Sequence, residues 1–247
     1  YCHNIYFIHI MKYYIYIALV INFLSAQFDW DNNGLFVRQG YHVEWFRGGD
    51  ISSDRSMIVV WSDTRESTRN VYAQSVDGNG NINWDVDGVL VSSGEGRHED
   101  PIIISDNDGG GFISWRTYTD LNPTYGELNV QHIDNFGNLI WNEPIQISVD
   151  IPIRINSQQN MCTDRSGGVF VTWYTEGSPT GDGFYYGSHI SSDGSMVGPV
   201  VLIDTEDDYG NVSLESAGNG FATIVWKQGG FGTENIYTQR IKANYFC

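Results

Sequence analysis

Side chains able to bind or react with a polar ligand recur in four segments of the sequence, each of which follows an apolar run that ends in tryptophan. The segments are residues 62–70, 116–127, 174–184 and 227–235, and residues 92–99, 149–156 and 204–210, after the fourth predicted strands, are expected on the same face. They supply carboxylates, which can exchange protons, and guanidinium, ammonium and phenol groups, which can bind polar groups. The candidate ligand-binding residues are Asp63, Arg65, Arg116, Tyr118, Asp120, Tyr174, Glu176 and Lys227. Variable segments of this kind predict binding loops on a rigid scaffold, and solvated turns without a ligand are the alternative.

Turns rich in aspartate and glycine, at residues 77–80, 106–110 and 134–137, form a second group of candidates. Aspartate in such a turn accepts hydrogen bonds from backbone N–H groups, and glycine adopts the positive φ that the turn needs. Calcium binding is the alternative, because acidic loops supply hard oxygen ligands. No stretch has the spaced ligands and terminal glutamate of an EF-hand loop. The sequence therefore predicts structural turns and no cofactor.

The histidines and the remaining motifs do not indicate a catalytic centre. His132 and His189 occupy equivalent positions on two predicted strands, which favours a structural role. Neither these residues nor His42 and His98 have the spacing of a metal site. The sequence contains no glycine-rich phosphate loop and no Gly-x-Ser-x-Gly motif around a nucleophilic serine. We therefore predict no metal centre.

Charge composition restricts the classes of partner. The chain of 247 residues carries 13 lysines and arginines against 30 aspartates and glutamates, which gives a formal net charge of −17. Nucleic acids and anionic membranes require clustered basic residues, so neither is a predicted partner. A hydrophobic content of 41% and an aromatic content of 14% provide enough apolar surface for a folded core and exclude intrinsic disorder.

Residues 1–26 have the pattern of a secretory signal peptide. Met11 and Lys12 precede an apolar run over residues 13–24, and two small residues follow that run. Residues 1–10 precede the first plausible start methionine. The pattern predicts export to the periplasm, the cell surface or the medium, with no membrane association after cleavage. An uncleaved membrane anchor is the alternative.

Cleavage of the signal would leave two cysteines, Cys162 and Cys247. Export would permit a disulfide between them. Nothing in their spacing indicates that they meet, and we predict that both are unpaired.

A repeat organises the sequence after the signal segment. Apolar runs end at Trp61, Trp115, Trp173 and Trp226, which are 54, 58 and 53 residues apart. A second alternating run follows each tryptophan, at residues 71–76, 128–133, 185–190 and 236–241. Period-two alternation and short polar turns predict strands, whereas no window has the apolar stripe of an amphipathic helix. Because the tryptophans are equivalent in every unit, we expect them to pack between neighbouring units rather than to bind a ligand.

Four short strands per unit at this period predict an all-β fold, a β-propeller of about four four-stranded blades. The units cover about residues 30–83, 84–140, 141–197 and 198–241, within a domain over 27–247. In the second unit the strands are expected at residues 101–105, 111–116, 128–133 and 145–149. Two arrangements remain open. Either residues 35–37 pair as a fourth strand with residues 236–241 and close the ring, or the chain is a truncated part of a larger ring.

The turn after the third predicted strand resembles a motif of secreted bacterial β-propeller repeat proteins, the sialidase-like group. The motif is Ser-x-Asp-x-Gly-x-x-Trp, and Ser75, Asp77, Gly80 and Trp84 have the same order, with the two later gaps one residue longer. The resemblance extends over about residues 30–241. It implies a propeller fold and, for the enzymes of that group, three arginines around a substrate carboxylate, a tyrosine–glutamate nucleophile pair and an aspartic acid. The Phe/Tyr-Arg-Ile-Pro segment of those enzymes is absent, so no catalytic residue is transferred.

Two functions follow from these observations. The first is an exported, non-catalytic module that binds a glycan or a surface protein through its loops. The alternative is a sialidase-like glycoside hydrolase, in which Asp63, Glu176 and a tyrosine would converge within about 10 Å, as a two-carboxylate mechanism requires. The absent motif favours the binding module.

Overall fold

The computed structural model describes residues 34–38, 43–92, 94–119, 122–151, 153–154, 158–176, 183–205, 212–229 and 232–243. Every named secondary-structure element in these ranges is a β-strand, which confirms the predicted all-β class. The same ranges contain no helix of the length and apolar character needed to span a membrane.

The strands form four successive antiparallel sheets, and each sheet is one blade of a β-propeller. Blade 1 contains β1 (Val43–Ile51), β2 (Met57–Asp63), β3 (Asn70–Val76) and β4 (Val89–Leu90). Blade 2 contains β5 (Arg97–Ser105), β6 (Gly111–Thr119), β7 (Asn122–Ile133) and β8 (Ile145–Gln146), with β9 (Ile153–Arg154) also paired to β7. Blade 3 contains β10 (Gln159–Thr163), β11 (Val169–Glu176), β12 (Gly183–Ile190) and β13 (Met196–Thr205). Blade 4 contains β14 (Ser213–Gly218), β15 (Phe221–Gln228) and β16 (Asn235–Lys242).

Blade 2 shows where the sequence-derived bounds differ from the structure. Strand β7 begins at Asn122 rather than at residue 128, and Thr119 pairs with Asn122, so most of the segment predicted as a loop over 116–127 is a hairpin. Alternating apolar residues mark only the part of a strand that lies on the core, and both strands continue beyond it. The unit boundaries predicted from the sequence, after residue 83 and after residue 140, fall between the third and fourth strands of a blade rather than between blades.

Trp115 and Trp173 pack between neighbouring blades, as the sequence predicted. Trp115 is 1% exposed and belongs to an apolar cluster shared with blade 1, and Trp173 is 0% exposed in a cluster shared with blade 2. Aromatic pairs across antiparallel strands add to the stability of a sheet. The stacked pairs are Trp61–Tyr72, Trp173–Tyr186 and Trp226–Tyr237, with ring centroids 6.2, 6.0 and 5.6 Å apart.

The first aspartate of the turn between the first and second strands is held by a histidine in blades 2 and 3. In blade 2, Oδ2 of Asp106 lies 2.9 Å from Nε2 of His132, and Oδ1 accepts hydrogen bonds from two backbone N–H groups of the turn. Asp164 and His189 repeat this arrangement in blade 3, with the same 2.9 Å separation. The structural role predicted for the two histidines is therefore confirmed.

The aspartates between the third and fourth strands also hold their own turns. Oδ1 of Asp77 accepts backbone hydrogen bonds from Asn79 and Asn81, both 2.8 Å long, and Oδ2 accepts one from the side chain of Asn81. Asp134 repeats these contacts in blade 2. Within the described ranges, no group of three or more histidine, cysteine, aspartate or glutamate residues could hold a metal ion.

Several sequence predictions fall outside the described residues, among them the signal peptide over 1–26, His42 and Cys247. Cys162 is buried and forms no disulfide. Residues 34–38 are described but belong to no strand, and the predicted pairing of residues 35–37 with β16 is not among the strand pairings of the described chain.

Candidate functional site

The candidate residues lie at one end of the blades. In an antiparallel sheet, the connection from the second to the third strand emerges at the same end as the start of the first strand. We call this end the loop face. It carries the connections β2–β3, β6–β7, β11–β12 and β15–β16 together with the starts of β5 and β10.

Asp63, at the end of β2, is enclosed by basic side chains. Its residue is 0% exposed, and Oδ2 accepts hydrogen bonds from Nη2 and Nε of Arg65 at 2.7 and 2.9 Å. Burial, the largest single influence, raises the pKa of Asp63, but the hydrogen bonds from Arg65 and Trp61 outweigh it and the pKa is lowered. Asp63 is therefore a fixed anion that positions Arg65, and it is unsuited to donate a proton.

Arg116 and Tyr118, on β6, are more buried than ligand contacts on an open loop would be. Arg116 is 4% exposed, and its Nη1 donates to Oδ2 of Asp100 at 2.8 Å. Tyr118 is 1% exposed, and a Cβ at Gly126 would lie 2.8 Å from its ring, so the phenol packs directly on that glycine. Burial raises the pKa of Tyr118, which keeps the phenol protonated. These two buried side chains therefore have a structural role at the loop face and are not exposed to a ligand.

The candidates on blades 3 and 4 belong to separate local contacts. Tyr174 packs on Tyr185, with ring centroids 5.4 Å apart. Lys227 lies 3.2 Å from Glu234 within blade 4, and both side chains are partly exposed. Asp120 and the side chain of Glu176 lie outside the described residues. The structure thus brings Asp63 and Arg65 together in blade 1 and Arg116 and Tyr118 together in blade 2, and it leaves Tyr174 and Lys227 apart from both pairs.

Sequence analysis missed a group of charged residues that joins blades 1 and 2. Arg69, just before β3, forms an ion pair with Glu99 on β5, and Nη1 of Arg97 lies 3.2 Å from the same Glu99 carboxylate. The next residue, Asp100, has a φ of 53° at an irregularity in the β5–β6 pairing and receives Arg116. Arg69, Arg97 and Glu99 lie in two segments that the sequence predicts on the binding face, 62–70 and 92–99, but nothing in the sequence pairs them with one another.

The side-chain amide of Gln159 links blade 3 to this charged group in blade 2. Nε2 of Gln159, at the start of β10, donates to the backbone carbonyl of Asp100 at 2.8 Å, and its Oε1 accepts a 3.1 Å hydrogen bond from Ser114. We call Arg69, Arg97, Glu99, Asp100, Arg116 and Gln159 the inner network. It fixes the relative position of three successive blades at the loop face.

His98, between Arg97 and Glu99 in the sequence, is buried in blade 2 and contacts Thr117 and Trp115. Its Nδ1 is 2.9 Å from the hydroxyl of Thr117, and the residue is 1% exposed. Burial lowers the pKa of His98, so the imidazole is neutral at neutral pH. A neutral ring adds no positive charge to the three arginines of the network.

The inner network offers many hydrogen-bond donors and acceptors at low net charge. Three guanidinium groups face two carboxylates, and the exposed fractions of the side chains are 41% for Arg97, 21% for Arg69, 16% for Asp100 and 13% for Glu99. Guanidinium and carboxylate groups held in fixed geometry bind neutral polar groups through charge-assisted hydrogen bonds. The arrangement is suited to a polar ligand that carries both donors and acceptors.

Comparison with known proteins bears on the fold. No protein-family model and no curated protein matches the sequence. A protein of unknown function from Dyadobacter fermentans is structurally similar, with a TM-score of 0.51, 11% identity and coverage of 84% of this chain and 68% of that one. An endo-arabinase from Bacteroides thetaiotaomicron gives 0.42 at 14% identity, over 83% of this chain and 77% of that one. An α-L-arabinofuranosidase from Podospora anserina gives 0.43 at 12% identity, over 87% and 70%. At these identities the likeness extends to the fold alone.

Proposed function

We propose that this protein binds carbohydrate on its loop face, at the inner network. The observation that carries the proposal is the pairing of Glu99 and Asp100 with arginines from two blades at the start of β5. Sugar hydroxyls both donate and accept hydrogen bonds, so a surface of fixed guanidinium and carboxylate groups matches them.

The charge of the chain supports a neutral or weakly charged glycan. With a formal net charge of −17, the protein repels polyanions such as nucleic acids. The network adds three positive and two negative groups at one place on the loop face. A carbohydrate satisfies these groups without the charge density of a phosphate backbone.

Glycoside hydrolysis is a second candidate, favoured by the two consecutive carboxylates Glu99 and Asp100. Glycosidases use a pair of carboxyl groups on either side of the scissile bond, one of which must carry a proton. Asp63, which the sequence suggested for such a role, is held ionised by Arg65. Glu99 and Asp100 are paired with arginines in the same way, so the inner network supports ligand binding better than proton donation.

The proposal includes export from the cytoplasm, which rests on the signal-like pattern of residues 1–26. Mass spectrometry of the protein secreted by an expressing bacterium measures this directly. A mature N-terminus at Gln27 supports export with cleavage, and an intact N-terminal segment in the cytoplasmic fraction contradicts it.

Affinity electrophoresis through gels that contain arabinan, xylan or mannan tests the binding proposal. We expect the wild-type protein to be retarded by at least one polysaccharide and Asp100→Asn or Arg69→Met to reduce the affinity about tenfold, which corresponds to about 1.4 kcal/mol. Lys227→Met is the matched control, because this cation lies on the loop face of blade 4, outside the network.

The release of reducing sugar from the same polysaccharides separates the two candidates. Retardation without release supports a binding module, and release that is lost in Glu99→Gln supports hydrolysis. Equal retardation of the wild type and both network variants, or no retardation by any of the polysaccharides, contradicts the proposed site.

A further inference from the structure

We propose a second carbohydrate-binding site on the face opposite the loop face, in a cleft between blades 1 and 2 where Phe136 serves as an aromatic platform. The cleft has a volume of about 710 Å³ and is lined by the two turns that precede the fourth strands of these blades and by the β1–β2 turn. It shares no residue with the inner network and does not depend on the proposed function.

Phe136 occupies a turn position at which the equivalent turns of the other blades have polar residues. The equivalent positions are Asn79 in the turn of blade 1 and Asp193 in that of blade 3. The Phe136 residue is 76% exposed at the edge of the cleft. An exposed aromatic ring contributes nothing to the core, but it can stack on the apolar face of a sugar ring and bury a large area.

Two polar side chains with free hydrogen-bonding capacity line the same cleft as this ring. The side-chain amide of Asn135 makes no hydrogen bond with any described part of the chain, and the exposed guanidinium of Arg55 forms no ion pair there. Amide groups donate and accept at the same time, which suits the paired hydroxyls of a sugar. An exposed aromatic face beside a free amide and a guanidinium is a combination that suits neutral carbohydrate.

The floor of the cleft is rigid. Nε1 of Trp84 donates a 3.1 Å hydrogen bond to the carbonyl of Asn135 and so joins the two turns. A Cβ at Gly137 would lie 2.9 Å from the indole of Trp84, so the turn that presents Phe136 rests directly on the indole. A ligand that binds here meets groups already in place, which reduces the entropy cost of binding.

The test uses the full chain carrying Asp100→Asn, so that the loop-face site is weakened, and measures affinity electrophoresis in arabinan, xylan and mannan. We expect the remaining retardation to correspond to an affinity about tenfold weaker in Phe136→Ala, or about 1.4 kcal/mol. Phe136→Tyr should retain binding, because the ring is kept. Val86→Ala, at another exposed apolar residue, should have no effect.

Thermal unfolding verifies that each variant is folded. Retardation that is equal in Phe136→Ala and Val86→Ala overturns the proposal, and so does the absence of any retardation that survives Asp100→Asn. If Phe136→Ala changed the oligomeric state, measured by sedimentation velocity, and left the retardation unchanged, the ring would belong to a contact between protein chains. That result would also overturn the proposed carbohydrate site. A failure of the loop-face proposal is recognised separately, because Asp100→Asn would then behave as the wild type.

Discussion

The indole Nε1 of Trp84 in blade 1 donates a hydrogen bond of 3.1 Å to the backbone carbonyl of Asn135 in blade 2. Trp141 in blade 2 makes the same bond, 3.2 Å long, with Ser192 in blade 3. Each tryptophan follows a turn of its own blade and reaches the equivalent turn of the next. Two joints of the same design therefore link three consecutive blades on the face opposite the inner network.

Replacement of Trp84 by phenylalanine should destabilise the protein by about 1–2 kcal/mol, because the indole hydrogen bond is lost while most of the ring area is kept. Trp84→Ala should cost about 3–5 kcal/mol, since it also leaves a cavity. Urea unfolding followed by circular dichroism measures both values. Trp141→Phe removes the equivalent bond between blades 2 and 3 and should lose a similar amount of stability. Equal stability of Trp84→Phe and the wild type would contradict the joint.

Stability should fall at acid pH through Asp106 and Asp164, in the turns between the first and second strands of blades 2 and 3, which we call the inner turns. Burial, the largest influence on Asp106, raises its pKa, but the hydrogen bonds from His132 and from the backbone outweigh it and the pKa is lowered. Folding is therefore stabilised above the unfolded pKa of about 3.9, and this contribution is lost as the pH falls through the lower folded pKa. The free energy of unfolding, measured from pH 7 to pH 2, should decline below about pH 4.

Asp106→Asn removes the ionised partner of His132 and should both lower stability at pH 7, by about 1.5–3 kcal/mol, and flatten the acid decline. Asp108→Asn, at an exposed residue of the same turn, should change stability by less than about 0.5 kcal/mol. An unchanged acid profile in Asp106→Asn would show that the pair does not contribute in this way.

The last residue of each inner turn, Gly110 or Gly168, must be glycine because neighbouring atoms leave no room for a Cβ. A Cβ at Gly110 would lie 2.2 Å from the carbonyl oxygen of Ile133 and 2.8 Å from Oδ2 of Asp106, and Gly168 is equally confined by Asp164 and Ile190. Gly110→Ala should therefore lower the midpoint of thermal unfolding strongly. Gly78→Ala, whose only close neighbour would be 4.0 Å away, should leave the midpoint nearly unchanged. Similar midpoints for the two variants would contradict this packing.

Cys162 should not react in the folded protein. Burial raises the pKa of its thiol to about 12, so the thiolate needed for alkylation is scarce at pH 8. Peptide mass spectrometry after iodoacetamide treatment should find Cys162 unmodified in buffer. In about 6 M guanidinium chloride, which unfolds most stable domains, it should be fully modified. Rapid labelling in buffer would show that this strand opens readily.

The fold could be predicted from the sequence because it is repeated locally. Equivalent tryptophans at 61, 115 and 173 and alternating strands recur in successive units, so each unit confirms the others. Strand ends were predicted less well, since β7 continues to Asn122 through residues that do not face the core.

The candidate site was predicted only in part, for a physical reason. Arg65, Arg69 and Arg116 lie in segments that the sequence marks by their position after a tryptophan, but Arg69 and Glu99 are 30 residues apart and meet only when two blades pack together. The contact of Gln159 with Asp100 spans 59 residues. Contacts between blades have no periodic signature in the sequence, so the inner network became visible only in the structure.

Hydrogen–deuterium exchange with bound polysaccharide fragments tests the central claim most directly. The Phe136→Ala variant is used so that only the loop face responds, and exchange is followed by mass spectrometry with and without the fragment that retards the protein in gels. The account predicts slower exchange in peptides that cover residues 97–100 and 158–159, where the inner network joins blades 1, 2 and 3. Protection confined to other parts of the chain, in a sample that still binds the fragment, would contradict it.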